Sequence, residues 1–157
     1  MNDFTSAWQA NAAINDALLN HLTPEMLEAG TPGAGYTVAQ HLAHMVQCLK
    51  GWSSQLEPSA VQDLPDLYRN YDPETGSFDA EMNVERIKAV MKQTRDATLT
   101  IAQNAKSTGN LPHATVGKFL IHMMTHDAHH RGQILLALKT NGYALPDEES
   151  MWLPWRS

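Results

Sequence analysis

Apolar positions along this chain recur at intervals of three and four, the spacing of amphipathic helices, and strand-like alternation is scarce. Four stretches carry the pattern. The first runs from about Phe4 to Leu22, with Phe4, Ala7, Trp8, Ile14, Leu18 and Leu22 on one face, Asp3 as its expected N-cap and Thr23-Pro24 as its stop. A connection with Gly30, Pro32, Gly33 and Gly35 leads to the second helix. That helix opens at Thr37 with Gln40 three residues on, the spacing of a capping box. Val38, Leu42, Met45, Leu49, Trp52 and Leu56 form its stripe, and Pro58 marks its end. The third helix is expected from about Asp79 to Lys106, with Met82, Ile87, Val90, Met91, Leu99 and Ile101 inward. The fourth runs from about Ala114 to Thr140, where Asn141-Gly142 supplies a left-handed C-cap.

Between the second and third helices, Glu57 to Phe78 is polar and holds three of the eight prolines. It reads as a long crossover with one short helical turn. Fully extended it spans about 70 Å, so the helices it joins need not be antiparallel neighbours. Four amphipathic helices of these lengths must cover one another's stripes, which predicts an all-α four-helix bundle. The tail carries Trp152 and Trp155, expected to pack on the bundle. No repeat, low-complexity tract or second domain interrupts residues 1–157, which read as one domain.

Composition narrows the function. The net charge of −6, from 17 acidic and 11 basic residues, argues against general binding to nucleic acid. No run of 18 apolar residues points to a membrane span. The N-terminus lacks the pattern of a secretory signal, and one cysteine, Cys48, cannot form an internal disulfide. These features fit the cytoplasm. The unusual number is eight histidines, five of them between His113 and His130.

In His122-Met123-Met124-Thr125-His126-Asp127-Ala128-His129-His130, the pair His126 and His130 lies about 40° apart around a helix axis and about 6 Å apart along it. That spacing lets two imidazoles converge on one ion, although the H-E-x-x-H protease motif is absent. Phe119, Met123, Ile134 and Ala137 share the face, so the pair points inward. Buried imidazoles need partners, and a divalent ion is one. The plainer alternative is a hydrogen-bonded core histidine, and His122 and His129 compete as ligands. A third ligand must come from another helix, where His41, His44 and Cys48 lie on one side. Periodicity slightly favours His41, with His44 at the stripe edge, and does not settle the choice. Cys48 either lines a pocket or packs in the core.

Three other features of the fourth helix bear on the reading. Gly132 either admits a close neighbour or is tolerated at a cost of about 1 kcal/mol relative to alanine. Asp127 and Arg131 are spaced for an ion pair on a solvated flank. Ile121, Met124, Ala128 and Leu135 make its opposite side apolar, which fits a homodimer or cover by the tail.

The segment His126-Asp127-Ala128-His129-His130-Arg131-Gly132-Gln133-Ile134, followed by Leu138, Asn141-Gly142-Tyr143 and Pro146, resembles the H-x-x-H-H-R-G-Q-I helix of the DinB/YfiT-like metal-binding family. Thr37-Val38-Ala39-Gln40-His41-Leu42-Ala43-His44 resembles that family's second helix, where a histidine follows the opening Ser or Thr by seven positions. The resemblance covers most of the chain in element order, and these two segments are its specific part. It implies an up-down-down-up bundle and a three-histidine site of His44, His126 and His130, which overrides the preference for His41. The expected cofactor is a divalent transition metal, zinc or nickel first, with iron or manganese as alternatives. Characterised relatives include metal-dependent S-transferases using low-molecular-weight thiols, and similar isomerases. Others are described as metal-dependent hydrolases, and many relatives are dimers.

The resemblance therefore implies an enzyme acting on a small molecule, with thiol transfer to an electrophile as the leading reaction. Hydrolysis by metal-bound hydroxide is the second reading, and a non-catalytic stress-related metal-binding or interaction protein the third. No general base stands out; His41 and His129 are the candidates. Neither nucleic acid nor membrane is an expected partner.

Overall fold

A computed structural model describes residues 2–156 of the chain and the side chains of 4–156. It is mostly helical. Four long helices, α1 (Asn2–His21), α2 (Val38–Ser53), α3 (Val84–Asn104) and α4 (Val116–Thr140), are followed by a short α5 (Glu148–Trp152). No helix is long and apolar enough to cross a membrane, among the described residues.

Local chemistry sets the boundaries. Thr37 caps α2 in the predicted capping box: its hydroxyl accepts from Gln40 N at 3.2 Å, while Gln40 Oε1 accepts from Thr37 N at 3.0 Å. Thr115 caps α4 by accepting from Lys118 N at 3.1 Å. The α4 exit is the expected left-handed turn, with Gly142 at φ 80° and Tyr143 N bonded to Leu138 O at 2.9 Å. Helix α1 already includes Asp3, so that residue is not the N-cap.

Two expectations are corrected in the crossover. Helix α3 begins at Val84 rather than Asp79, because Asn83 Oδ1 accepts from Arg86 N at 2.9 Å and caps it there. The residues ahead form a small antiparallel ribbon, β1 (Tyr68–Arg69) with β2 (Asp79–Ala80), instead of helix or featureless loop. Met82, expected in the core, is 42% exposed. Around the ribbon, Glu81 pairs with both Arg69 and Arg86. The predicted short helical turn is a 3-10 turn at Pro58–Ala60.

The core is divided. One cluster joins Leu18, Leu42, Met45 and Val46 to Ile87, Met91, Ile134 and Leu138. The other joins Trp8 and Leu49 to Ala102, Phe119, Leu120 and Met123. Early α2 thus packs on late α4, and late α2 on early α4. On α4, His126 and His130 fall between the residues of the two clusters, and on α2, His41 and His44 lie alongside the first cluster. Ser53 and Thr98 tie α2 to α3 at 3.0 Å, and Arg95 of α3 reaches Asp16 and Ala12 O of α1 at 2.7 and 3.1 Å.

The tail only partly covers the long helices. Trp152 and Trp155 are about half exposed, and with Ile14, Leu135 and Met151 they line a groove beside α4. Gly132 opens into this groove, and nothing lies within 4 Å of a Cβ built there. Within this chain, Gly132 therefore admits no close helix. Gly109 is the opposite case. Its φ is 54°, and an added Cβ would meet Gln55 O at 2.7 Å.

The two glycines should respond with opposite signs in urea unfolding. Gly132→Ala stabilises the protein by about 0.5–1 kcal/mol through reduced unfolded-state freedom. Gly109→Ala destabilises it by about 1–3 kcal/mol through backbone strain and the clash. A destabilised Gly132→Ala would mean that something outside this chain packs on the groove.

Candidate metal centre

His41, His44 and Cys48 lie on one side of α2, and His126 and His130 lie one turn apart on α4. The structure brings the three resemblance-selected histidines together. Ring centroids are 5.3 Å apart for His44–His126, 4.9 Å for His44–His130 and 4.4 Å for His126–His130. His126 Nε2 and His130 Nε2 stand 3.1 Å apart. One ligand atom from each of His44, Cys48 and His126 can be chosen so that all lie within 4.8 Å of one another. Cys48 Sγ is 3.4 Å from His44 Nε2.

His41 takes a different place. It is 6% exposed, and its Nδ1 lies 2.9 Å from Nδ1 of His130, which is 7% exposed. Periodicity was right that His41 is the deeper residue. The half-buried His44, at the stripe edge, is the one beside Cys48 and His126. Tyr68 OH lies 3.4 Å from His44 Nδ1. For two histidines the Nδ1 atom is thus engaged by a neighbour, which leaves Nε2 for an ion. With Nε2 lone pairs turned to an ion, His130 Nδ1–H donates to His41 and His44 Nδ1–H donates to the Tyr68 oxygen. Such outer contacts fix tautomer and ring orientation at metal sites.

The electrostatics favour neutral rings. Burial, followed by mutual repulsion among the imidazoles, lowers the pKa of His41 and of His126 to about 4, and that of His130 to about 3. Burial also lowers that of His44. Burial raises the Tyr68 phenol to about 12, so it stays protonated. Neutral imidazoles are the form that binds divalent metals. Nitrogens on tetrahedral zinc lie about 3.3 Å apart for bonds of about 2.05 Å, close to the His126–His130 separation. His44, Cys48 and His126 together could hold a metal ion.

The crossover and the connection before α2 supply residues that the sequence reading missed. Tyr68 stacks on Phe78 at 4.1 Å, and Tyr36 stands edge-on to His41 and His44 at 5.6 and 6.0 Å. Together they wall one side of the histidines. Gln40 Nε2 holds the wall in place by donating to Phe78 O at 3.0 Å. The aromatic residues of an otherwise polar segment were the available signal.

The remaining histidines lie elsewhere. His129 is exposed, with its ring 5.1 Å from that of His130. His122 is exposed and meets His113, Nδ1 to Nε2, at 2.9 Å, with both rings edge-on to Trp52. Trp52 also lines a cleft of about 370 Å³ with Gln47, Cys48, Gly51, Gln55, Asn110 and Pro112. Cys48 is where this cleft reaches the histidine cluster.

The Asp127–Arg131 expectation is corrected. Asp127 is 1% exposed. Its Oδ2 accepts from the amides of Asn11 and Asn15, both at 2.8 Å, and Arg131 Nη1 donates to the Oδ1 of each asparagine at 2.7 Å. Asp127 is thus buried, and α1 bridges it to the half-buried Arg131. Burial raises the Asp127 pKa, against the asparagine bonds and the charge of Arg131 that lower it. Asn11 and Asn15 follow Trp8 and precede Leu18 and Leu22 at alternating steps of three and four, so the signal was two asparagines in an apolar seam.

The fold and cluster define a mostly helical protein with a candidate histidine-and-cysteine metal site. The family model described as the DinB family matches residues 1–156, and the chain belongs to that family. A DinB-like protein from Bacillus cereus ATCC 10987, solved by crystallography, is similar in fold, with a TM-score of 0.66 and 16% identity over 94% of this chain and 96% of that one. Comparison with curated proteins gave no match.

Stability of the metal-free protein should depend on pH in a defined window. Above pH 6.5 the imidazoles are neutral folded or unfolded and contribute nothing. As pH falls toward about 4, the unfolded chain binds protons that folded His41, His126 and His130 refuse, so stability is lost. Asp66 and Glu81, held below their usual 3.8 and 4.5 by bonds and cationic neighbours, lose their contribution only at lower pH. Urea midpoints of chelator-treated protein should fall across this window, less steeply for His126→Gln; a flat profile contradicts the neutral cluster.

Proposed function

We propose that this DinB-family chain is a metal-dependent enzyme acting on a small molecule, of the thiol S-transferase type, with His44, His126 and His130 holding a divalent transition ion. The observation that carries the reading is the meeting of these three imidazoles beside an open cleft, with outer nitrogens of two of them already engaged. An ion bound there lowers the pKa of a coordinating thiol and keeps it as thiolate near neutral pH.

The chain's own residues do the rest. His41 and Tyr68 orient His130 and His44. The Tyr36, Tyr68 and Phe78 wall limits water on one side. Trp52 offers an aromatic face to an electrophile, and Gln47, Gln55 and Asn110 offer polar contacts around it. His41 is committed to His130, so its role is positioning rather than proton transfer. We read the helix pairings as an up-down-down-up four-helix bundle forming one domain. Ile121 and Leu136, 47% and 43% exposed, leave an outer α4 surface for a homodimer.

The test is thiol-dependent consumption of monobromobimane or a chlorodinitrobenzene by untagged, metal-loaded protein. Activity should vanish with chelator and in His126→Ala, which should also lose bound metal. His41→Ala should weaken metal binding by about 10–100-fold. Full metal content in His126→Ala removes that residue from the site, and metal-dependent ester turnover without thiol replaces transfer with hydrolysis.

A further inference from the structure

Cys48 stands at the junction of the histidine cluster and the cleft, and the three-histidine reading gives it no task. Its Sγ lies 3.4 Å from His44 Nε2, one turn away on the same helix. For a sulfur bond of about 2.3 Å and a nitrogen bond of about 2.05 Å, the sulfur–nitrogen edge of a tetrahedral zinc site is about 3.6 Å. Cys48 and His44 also each offer a ligand atom to a set with His126 whose mutual distances stay within 4.8 Å. The cysteine is not isolated. It faces imidazoles that gather without a carboxylate among them.

We propose that Cys48 is a displaceable fourth ligand, completing a three-nitrogen, one-sulfur set with His44, His126 and His130 on the side that faces the cleft. This rests on the three-histidine reading and deepens it. Metal loading replaces the Cys48 S–H bond with a sulfur–metal bond and releases the proton to solvent. A small thiol entering through the cleft exchanges one sulfur–metal bond for another and passes its proton to the departing Cys48 sulfur. Charge and atoms balance, and no oxidant, reductant or outside base is required. The substrate class is a compact thiol able to pass Trp52 and reach the Cys48 position.

Cobalt(II) titration of the chelator-stripped full chain in thiol-free buffer tests this directly. Cys48 is the only cysteine in the sequence, so a sulfur-to-cobalt charge-transfer band in the near ultraviolet has one source. Wild type should bind one equivalent and show the band. Cys48→Ala should bind one equivalent without it, and added 2-mercaptoethanol should restore it. Stoichiometric binding by wild type without the band overturns the Cys48 role and leaves the three histidines standing. No cobalt binding by wild type overturns both. A band that 2-mercaptoethanol fails to restore in Cys48→Ala overturns the exchange. The wild-type arm decides coordination even where the variant does not fold.

Discussion

Imidazoles packed with nitrogen atoms about 3 Å apart cannot all be charged, and that constraint organises the middle of this protein. His130 is the pivot, with His41 at one nitrogen and His126 at the other, at 2.9 and 3.1 Å. Neutral rings in such a chain need a donor and an acceptor at each contact, and a divalent ion supplies an acceptor for several lone pairs at once. The two apolar clusters pack α2 against α4 on both sides of His126 and His130. The crossover wall and the cleft then give the cluster one closed side and one open side.

A second polar centre anchors the same helix from behind. Asp127 and Arg131 share two asparagines of α1, which fixes the rotation of α4 about its axis. Removing one partner of such a buried network costs the desolvation of what is left behind, about 1–3 kcal/mol per group. Because Asp127 directly follows His126, that rotation also sets where the His126 and His130 imidazoles point. The i, i+4 steps of His126–His130 and Asp127–Arg131 therefore serve two faces of one helix, one toward the candidate centre and one toward α1.

Much of this was legible because the informative residues act locally. Thr37 and Gln40 make a capping box whatever surrounds them, and Asn141-Gly142 ends a helix by its own backbone preference. The inward face of His126 and His130 followed from the apolar residues sharing it. The choice between His41 and His44 did not follow, because periodicity reports depth and not which side chain stands beside Cys48 and His126. Tyr68 and Phe78 were hidden because their contacts depend on how a long crossover folds back, and Tyr36 because it sits in the glycine-rich connection ahead of α2. Asp127 and Arg131 misled because an i, i+4 charge pair is normally solvated, and only the asparagines of a distant helix bury it. The start of α3 was misplaced because the cap at Asn83 outweighs the apolar periodicity that continues upstream of it.

The central claim is that one cation belongs between α2 and α4. Crystals of the untagged protein grown with zinc, measured on both sides of the zinc absorption edge, locate that cation without reference to any reaction. One dominant anomalous peak is expected within about 2.0–2.1 Å of a ring nitrogen of His44, His126 and His130. A dominant peak at His113 and His122, or none between the two helices, would contradict that claim.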